Sequence, residues 1–235
     1  MIFHGLDLSV KNVPKYDPEF TPFAKFIAAY SAAVQGFTKR KPVKIALERE
    51  NGQISVYDTA VFGDCAHGEI DRLYMERLCK ALLWMRGGFR FTICGAPTLA
   101  KYIKEQYAVG GSRAFDAEFM AGVYEHKFEV KSVKYDEAPV SMELSKTVGR
   151  HLDGCRIGFD AGGSDRKVSA VVNGEAIFSE EVVWLPKVNP DPEYHYQGIL
   201  DAFKSAAAKM PRVDAIGVSS AGIYVANQTM VASLF

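Results

Sequence analysis

Apolar and polar positions change period several times along this 235-residue chain, and each change marks an expected element. The start is irregular, with Pro14, Pro18 and Pro22. Phe23, Phe26, Ile27, Tyr30 and Val34 then recur at helical spacing in TPFAKFIAAYSAAV. TKRKP follows as a solvated break. Two β-rich runs flank Asn51-Gly52, a strong hairpin signal, because this pair accepts the left-handed backbone of a tight turn. Ile70, Leu73, Tyr74, Leu78, Ala81, Leu82 and Met85 define a long amphipathic helix stopped by Gly87-Gly88. FRFTIC reads as a strand, and Pro97-Thr98 opens a helix through Tyr107. A further helix from Ala114 to about Tyr124 carries Phe115, Phe119 and Val123 on one face, and KFEVKSV closes the series as a strand. The order β-β-α-β-α-α-β predicts an α/β domain over residues 1–140, to which the sequence assigns no role.

The stretch Asp136–Gly154 is polar and irregular and holds a proline, which predicts a connection, with residues 141–154 as the linker proper. A second unit, residues 155–235, begins with the strands CRIGFD and KVSAVV. It turns at Asn173-Gly174 into EAIFSEEVVW. Asp191 is the expected N-cap of a helix with Pro192 at its first position and Ile199, Phe203, Ala206 and Met210 on a shared face. VDAIGVSSAG then reads as a buried strand ending in a small-residue turn, completing the order β-β-β-α-β. The last stretch, TMVASLF, is apolar and β-rich. It either pairs within the protein or with a second copy, or it belongs to a longer protein of which this chain is the front part; the last is the expectation adopted.

Composition narrows the function classes. Lys plus Arg equals Asp plus Glu at 28 each, so the basic excess of a nucleic-acid binder is missing. A net charge near zero favours self-association, and a homodimer is expected. MIFHGLDLSV lacks the features of a secretion signal, and no apolar run approaches the ~20 residues of a membrane span. Cys65, Cys79, Cys94 and Cys155 are scattered, without ligand spacing, which predicts reduced thiols in a cytoplasmic protein rather than a zinc site. His4, His67, His126, His151 and His195 are equally dispersed. His67 beside Asp64 and Cys65 invites a nucleophile or metal reading, but a loop ahead of a helix explains it better without a third partner.

The stretch with the densest chemistry is IGFDAGGSDRK. An apolar strand ends in Asp160 and breaks at Gly162-Gly163, where the absence of Cβ atoms lets the backbone approach a ligand and successive amides form an anion-binding concavity. Ser164 adds a hydroxyl, Arg166 and Lys167 add charge, and Asp160 suits Mg²⁺ or its bound water. Neither G-x-x-x-x-G-K-[ST] nor G-x-G-x-x-G at a strand-to-helix junction occurs. By itself, D-x-G-G reads better as a turn chosen for backbone geometry.

In its context, IGFDAGGSDRKVSAVVNGEAIFSEE resembles the first phosphate loop of the ROK (repressor, open reading frame, kinase) group of the actin/hexokinase-like, ribonuclease H-like superfamily. Asp160, Gly162, Gly163 and Ser164 match I-G-x-D-x-G-G-[ST]-K, while Asp165 stands where lysine is usual. VDAIGVSSAG resembles the strand and glycine turn I-G-[IV]-x-x-P-G, with Ala221 in place of proline and Gly222 matching its glycine. The likeness covers Cys155–Phe235, about a third of the chain. It implies a partial sugar-kinase-like lobe: phosphate binding at Gly162, Gly163, Ser164, Arg166 and Lys167, magnesium held through water at Asp160, and a sugar-side turn at Ser220, Ala221 and Gly222. ATP, Mg²⁺ and a sugar are thereby implied for a complete protein. The family's catalytic aspartate, second phosphate loop and sugar contacts lie downstream of the glycine turn, so no catalytic residue is expected here and the chain is expected to be inactive alone. Two alternatives stand beside it: a sugar sensor without catalysis, and an interaction module in which Asp160–Ser164 is only a turn. The family's regulators usually carry a winged helix-turn-helix, which the hairpin-rich first unit and zero charge argue against.

Overall fold

The computed structural model describes residues 2–144, 149 and 151–231. It is a mixed α/β protein with five helices among the described residues, dividing into two compact units, residues 1–144 and 145–235. None of these helices is long and apolar enough to cross a membrane.

In the first unit a small hairpin of β1 (Ile2–Phe3) and β2 (Leu6–Asp7) precedes α1 (Phe23–Gly36). β3 (Lys41–Glu48) and β4 (Ile54–Val61) form the expected hairpin, whose turn holds Asn51 and Gly52 at φ 57° and 70°. There follow α2 (Gly68–Arg86), β5 (Arg90–Cys94), α3 (Pro97–Gln106), α4 (Ala114–Tyr124) and β6 (Glu129–Val133). The sheet order is β4-β3-β5-β6, antiparallel except for β5 and β6. Val43, Ile45 and Leu47 alternate inward from β3 and meet Tyr30 and Val34 of α1, Tyr74 and Leu78 of α2, and Ile103 of α3 in one core. Within that core the Asp71 carboxylate accepts from the Tyr30 hydroxyl and from the amides of Phe62 (3.2 Å) and Gly63 (2.8 Å). Tyr30 in turn stacks on Tyr74 with ring centroids 3.9 Å apart. Burial, reinforced by that carboxylate, holds the Tyr30 phenol well above its ordinary range.

Two helix faces differ from expectation. α2 buries Asp71, Met75, Glu76, Cys79 and Leu83 beside Ile70, Tyr74, Leu78 and Leu82, whereas Met85 is 70% exposed. α4 buries Asp116, Ala117, Met120 and Val123, leaving Phe115 exposed. The reason is a polar cluster that hydrophobic spacing does not register. Asp116 accepts from Trp84 Nε1 at 2.9 Å and pairs with Arg113, which also binds the buried Glu76. Meeting those partners rotates both helices, and the aromatic side chains Trp84, Phe115 and Phe119 stack on the outside instead.

The start of the expected connection also belongs to the first unit. Ile54 and Met142 exchange both backbone hydrogen bonds at 2.9 Å, and Glu143 binds Ser55, Arg86 and Arg49. Residues 145–148 and 150, where the rest of the linker is expected, lie outside the described residues.

The second unit follows the expected order: β7 (Cys155–Ala161), β8 (Asp165–Val172), β9 (Glu175–Val183), α5 (Pro192–Ala207) and β10 (Ala215–Ser220). A hairpin of β11 (Ile223–Val225) and β12 (Gln228–Val231) comes last. The main sheet runs β10-β7-β8-β9, with β10 parallel to β7 and the remaining pairs antiparallel. Asp191 caps α5 by accepting from the Glu193 amide at 2.9 Å, and Pro192 occupies the first turn, as read from the sequence. α5 packs on β7, β8 and β9, burying Ile157, Phe159, Val168 and Ala170 against Ala202 and Ala206. β10 is not the buried strand its apolar run predicts. It is the sheet edge, while α5 packs chiefly on the other three strands, and Ile216 and Val218 are 44% and 63% exposed. Of the terminal stretch, Thr229–Val231 pairs with β11 within the chain; residues 232–235 lie outside the described residues.

Asp214 fastens the start of β10 to the start of β7. Its carboxylate accepts from Arg212 (2.7 Å) and the Cys155 amide (2.8 Å), and these hold its pKa below the ordinary carboxylate value. A depressed folded pKa contributes stability above the unfolded value near about 4, which is lost as pH falls through the folded value. The gap in melting temperature between the parent and Asp214→Asn is therefore expected to be widest above about pH 5 and to close on acidification. Thermal melts of the two proteins across this range check it.

Candidate functional site

The turn after β7 is built from Gly162, Gly163 and Ser164, and Trp184 fixes it from below. The indole Nε1 donates to the Gly162 carbonyl at 2.7 Å, and the Trp184 amide donates to the Ser164 carbonyl at 3.2 Å. Neither Gly162 nor Gly163 has a left-handed backbone. At 162 the requirement is space, since a Cβ there would fall 2.5 Å from the Asp165 carbonyl oxygen. Gly163 and Ser164 are exposed at the tip.

Asp160 projects from the face of the sheet opposite α5. One carboxylate oxygen, Oδ1, accepts from Ser219 Oγ of β10 at 2.7 Å, and its side chain is exposed. Around it lies an open cavity of about 710 Å³, to which Gly158, Lys167, Ser169, Ser179, Glu181, Gly217 and Ser219 contribute. Small side chains on all four adjacent strands make the hollow, and Asp160, Lys167 and Glu181 charge it.

Arg166 and Lys167, read from sequence as a basic pair in the loop, lie inside β8 and point to opposite faces. The strand begins at Asp165, two residues earlier than the sequence suggests, so the period of two separates them. Lys167 faces the cavity, donating to Asp165 and lying 3.9 Å from Glu181. That hydrogen bond lowers the pKa of Asp165 and raises that of Lys167. The acid at 165 and the cation it binds at 167 thus form a local pair on one face of the strand. Arg166 faces α5, with its guanidinium 5.9 Å from the centre of the Trp184 ring and against Gly198. Its Nε is buried without a hydrogen-bond partner among the described residues.

The register pairs Ser220 with Ala161, so the Ser220–Gly222 turn and the Gly162–Ser164 turn leave the same end of the sheet. Gly222, at φ 136°, needs its glycine for that conformation. Glu181, Ser169 and Trp184 were not singled out in the sequence. Ser179 and Glu181 lie in the continuous polar run Ser179-Glu180-Glu181, whose lack of a period of two gives no face, while the role of Trp184 depends on a contact across the sheet end.

The other sequence candidates separate. Asp64 Oδ1 meets His67 Nδ1 at 2.8 Å and accepts from the His67 amide, while the imidazole stacks on Phe62 at 4.0 Å. The hydrogen bonds from His67 depress the Asp64 pKa. His195 contacts the Asn189 carbonyl at 2.7 Å. Cys65 is exposed and Cys79, Cys94 and Cys155 are buried, all four as free thiols. Among the described residues no three His, Cys, Asp or Glu side chains group as metal ligands. Compared with protein-family models the sequence finds no match, and a comparison with curated proteins likewise finds none.

Proposed function

We propose that the second unit is the phosphate-loop portion of a nucleotide-binding lobe of the actin/hexokinase-like type, related to the ROK sugar kinases. The observation that carries this reading is the parallel pairing of β10 with β7. It sets the Gly162–Ser164 and Ser220–Gly222 turns side by side at the carboxyl ends of two parallel strands, where open α/β sheets receive ligands. Phosphate oxygens would meet the exposed backbone at Gly163 and the Ser164 hydroxyl. Lys167 supplies charge at the cavity mouth, and Arg166 acts through Trp184 as a brace under the turn. The donor set fits magnesium: Asp160 is an exposed carboxylate with Oδ2 lacking a hydrogen bond among the described residues, and Glu181 lines the same cavity. An ion that keeps most of its waters needs no more than one or two carboxylates. Bound there, it would neutralise phosphate charge; the chain's own part is to hold and orient the nucleotide. Phosphoryl transfer needs groups from an opposing lobe, so this unit binds nucleotide and does not by itself phosphorylate a sugar.

The exposed Ile216 and Val218 on an edge strand favour a second role, association with another copy of this chain through β10. Four free thiols and balanced charge suit a cytoplasmic setting.

Titrating the chain with ATP or ADP and Mg²⁺ tests the binding. The melting temperature is expected to climb with concentration, equivalent to about 2.7 kcal/mol at a hundredfold excess over Kd. Gly163→Val is expected to abolish the rise while preserving the fold, because position 163 sits exposed at the turn. If neither nucleotide moves the parent's melting temperature, the turn is only a turn and the interaction reading takes its place.

A further inference from the structure

The first unit contains a cavity of its own, of about 370 Å³, walled by the start of β3, the end of β4, the 63–68 loop leading into α2, and the turn from β5 into α3. Its charges are unevenly committed. Both carboxylates in the wall are hydrogen-bonded within the protein, Asp64 Oδ1 to His67, and Asp71 to Tyr30 and the amides of Phe62 and Gly63, and neither pairs with a lysine or arginine among the described residues. The side chains of the two cations, Lys41 and Arg72, have no ion pair or hydrogen bond among the described residues. Arg72 rests on the Tyr102 ring at 5.9 Å, with Nη2 beside Gly68. The Lys41 stem crosses Gly63, where a Cβ would fall 2.6 Å from Cδ, so the glycine makes room for the lysine. From the third side, α3 opens into the cavity with Thr98 and Leu99. Pro97 has no N–H, Ala96 supplies no side-chain cap, and the Thr98 and Leu99 amides have no acceptor among the described residues.

We propose that this cavity binds the phosphate group of a small phosphate monoester, held between Lys41 and Arg72 and received by Thr98 and the first amides of α3. Two uncommitted cations match a group carrying nearly two negative charges at neutral pH better than a carboxylate carrying one. Arginine offers a planar fork to two phosphate oxygens, lysine a point charge, and a helix start its unpaired N–H groups. The volume admits a ligand of sugar-phosphate size. This site lies within the first unit and does not depend on the nucleotide reading of the second.

Isothermal titration of the full chain with glycerol 3-phosphate, with glycerol as control, is the test. The phosphate ester is expected to bind and glycerol not to. Lys41→Met and Arg72→Met should each weaken binding at least about tenfold, and Arg72→Lys by less, because it keeps the charge and loses the fork. Gly163→Val should bind like the parent. Both side chains are solvent-exposed, so the variants are expected to fold, which circular dichroism checks. Absence of binding by the parent overturns the proposal. So does unchanged binding by both methionine variants, and so does loss of binding in Gly163→Val, which would move the phosphate to the other unit.

Discussion

Trp184→Ala is expected to destabilise the second unit by about 3–5 kcal/mol, the usual cost of emptying an aromatic site in a packed core. Trp184 is 3% exposed and belongs to the cluster formed by Ile157, Phe159, Val168 and Ala202. Its removal also strands the Gly162 carbonyl, which accepts from Nε1, and takes away the ring beneath Arg166. The backbone bond from residue 184 to Ser164 survives, so the turn should loosen rather than vanish. A domain this small has only a few kcal/mol in hand, and Trp184→Ala will leave it largely unfolded at room temperature. Trp184→Phe keeps most of the apolar volume and loses the N–H, for an expected cost of about 1–2 kcal/mol. It isolates the effect on the turn: the variant should fold, yet bind Mg-ATP more weakly than the parent. With only two tryptophans in the chain, Trp84 remains as the fluorescence reporter of the first unit in both variants, and urea melts followed there should not shift. Equal stability of the parent and Trp184→Ala would show that the indole is not what fixes the turn.

The sequence made the order of elements legible wherever local chemistry decided it. Asn51-Gly52, Asn173-Gly174, Pro97 and the Asp191-Pro192 pair each mark a boundary that the structure keeps, because turn and cap preferences act over a few residues. The failures share a physical cause. Helix faces were read from apolar spacing alone, and the buried carboxylates Asp71, Glu76 and Asp116 are invisible to such a reading until their partners on other elements are known. The apolar run of β10 looks buried, but exposure depends on where a strand falls in the sheet order, which is a tertiary property. The candidate site was legible as a string and not as a surface. Asp160, Gly162, Gly163 and Ser164 sit around one turn, yet the two-residue error in the start of β8 hid that Arg166 and Lys167 serve different faces. The cavity of the first unit left no motif at all, since Lys41, Arg72 and Thr98 come from three elements and meet only in space.

Asp71→Ala is expected to cost the first unit about 3–5 kcal/mol, although the side chain it shortens is small. The cost lies in what the carboxylate leaves behind. The Tyr30 hydroxyl and the Phe62 amide are buried, the Gly63 amide is half-buried, and all three donate to Asp71. No water reaches the first two to replace the acceptor, so their desolvation goes uncompensated. Asp71→Asn retains one acceptor oxygen but turns an amide N–H toward a donor, and should cost less than alanine and more than Tyr30→Phe. Tyr30→Phe deletes one donor and leaves the carboxylate with two amides, for an expected loss of about 1–2 kcal/mol. Trp84 fluorescence in urea measures all three, and the double variant Asp71→Ala/Tyr30→Phe should be less destabilised than the sum of the singles, because the orphaned hydroxyl is gone. An alanine variant no less stable than Tyr30→Phe would mean that the carboxylate is dispensable to the core. The same commitment of Asp71 inward keeps it from pairing with Lys41 or Arg72, neither of which has an ion pair among the described residues, in the cavity it borders. The stability of this core and the charge available to a ligand there are therefore two consequences of one buried acid.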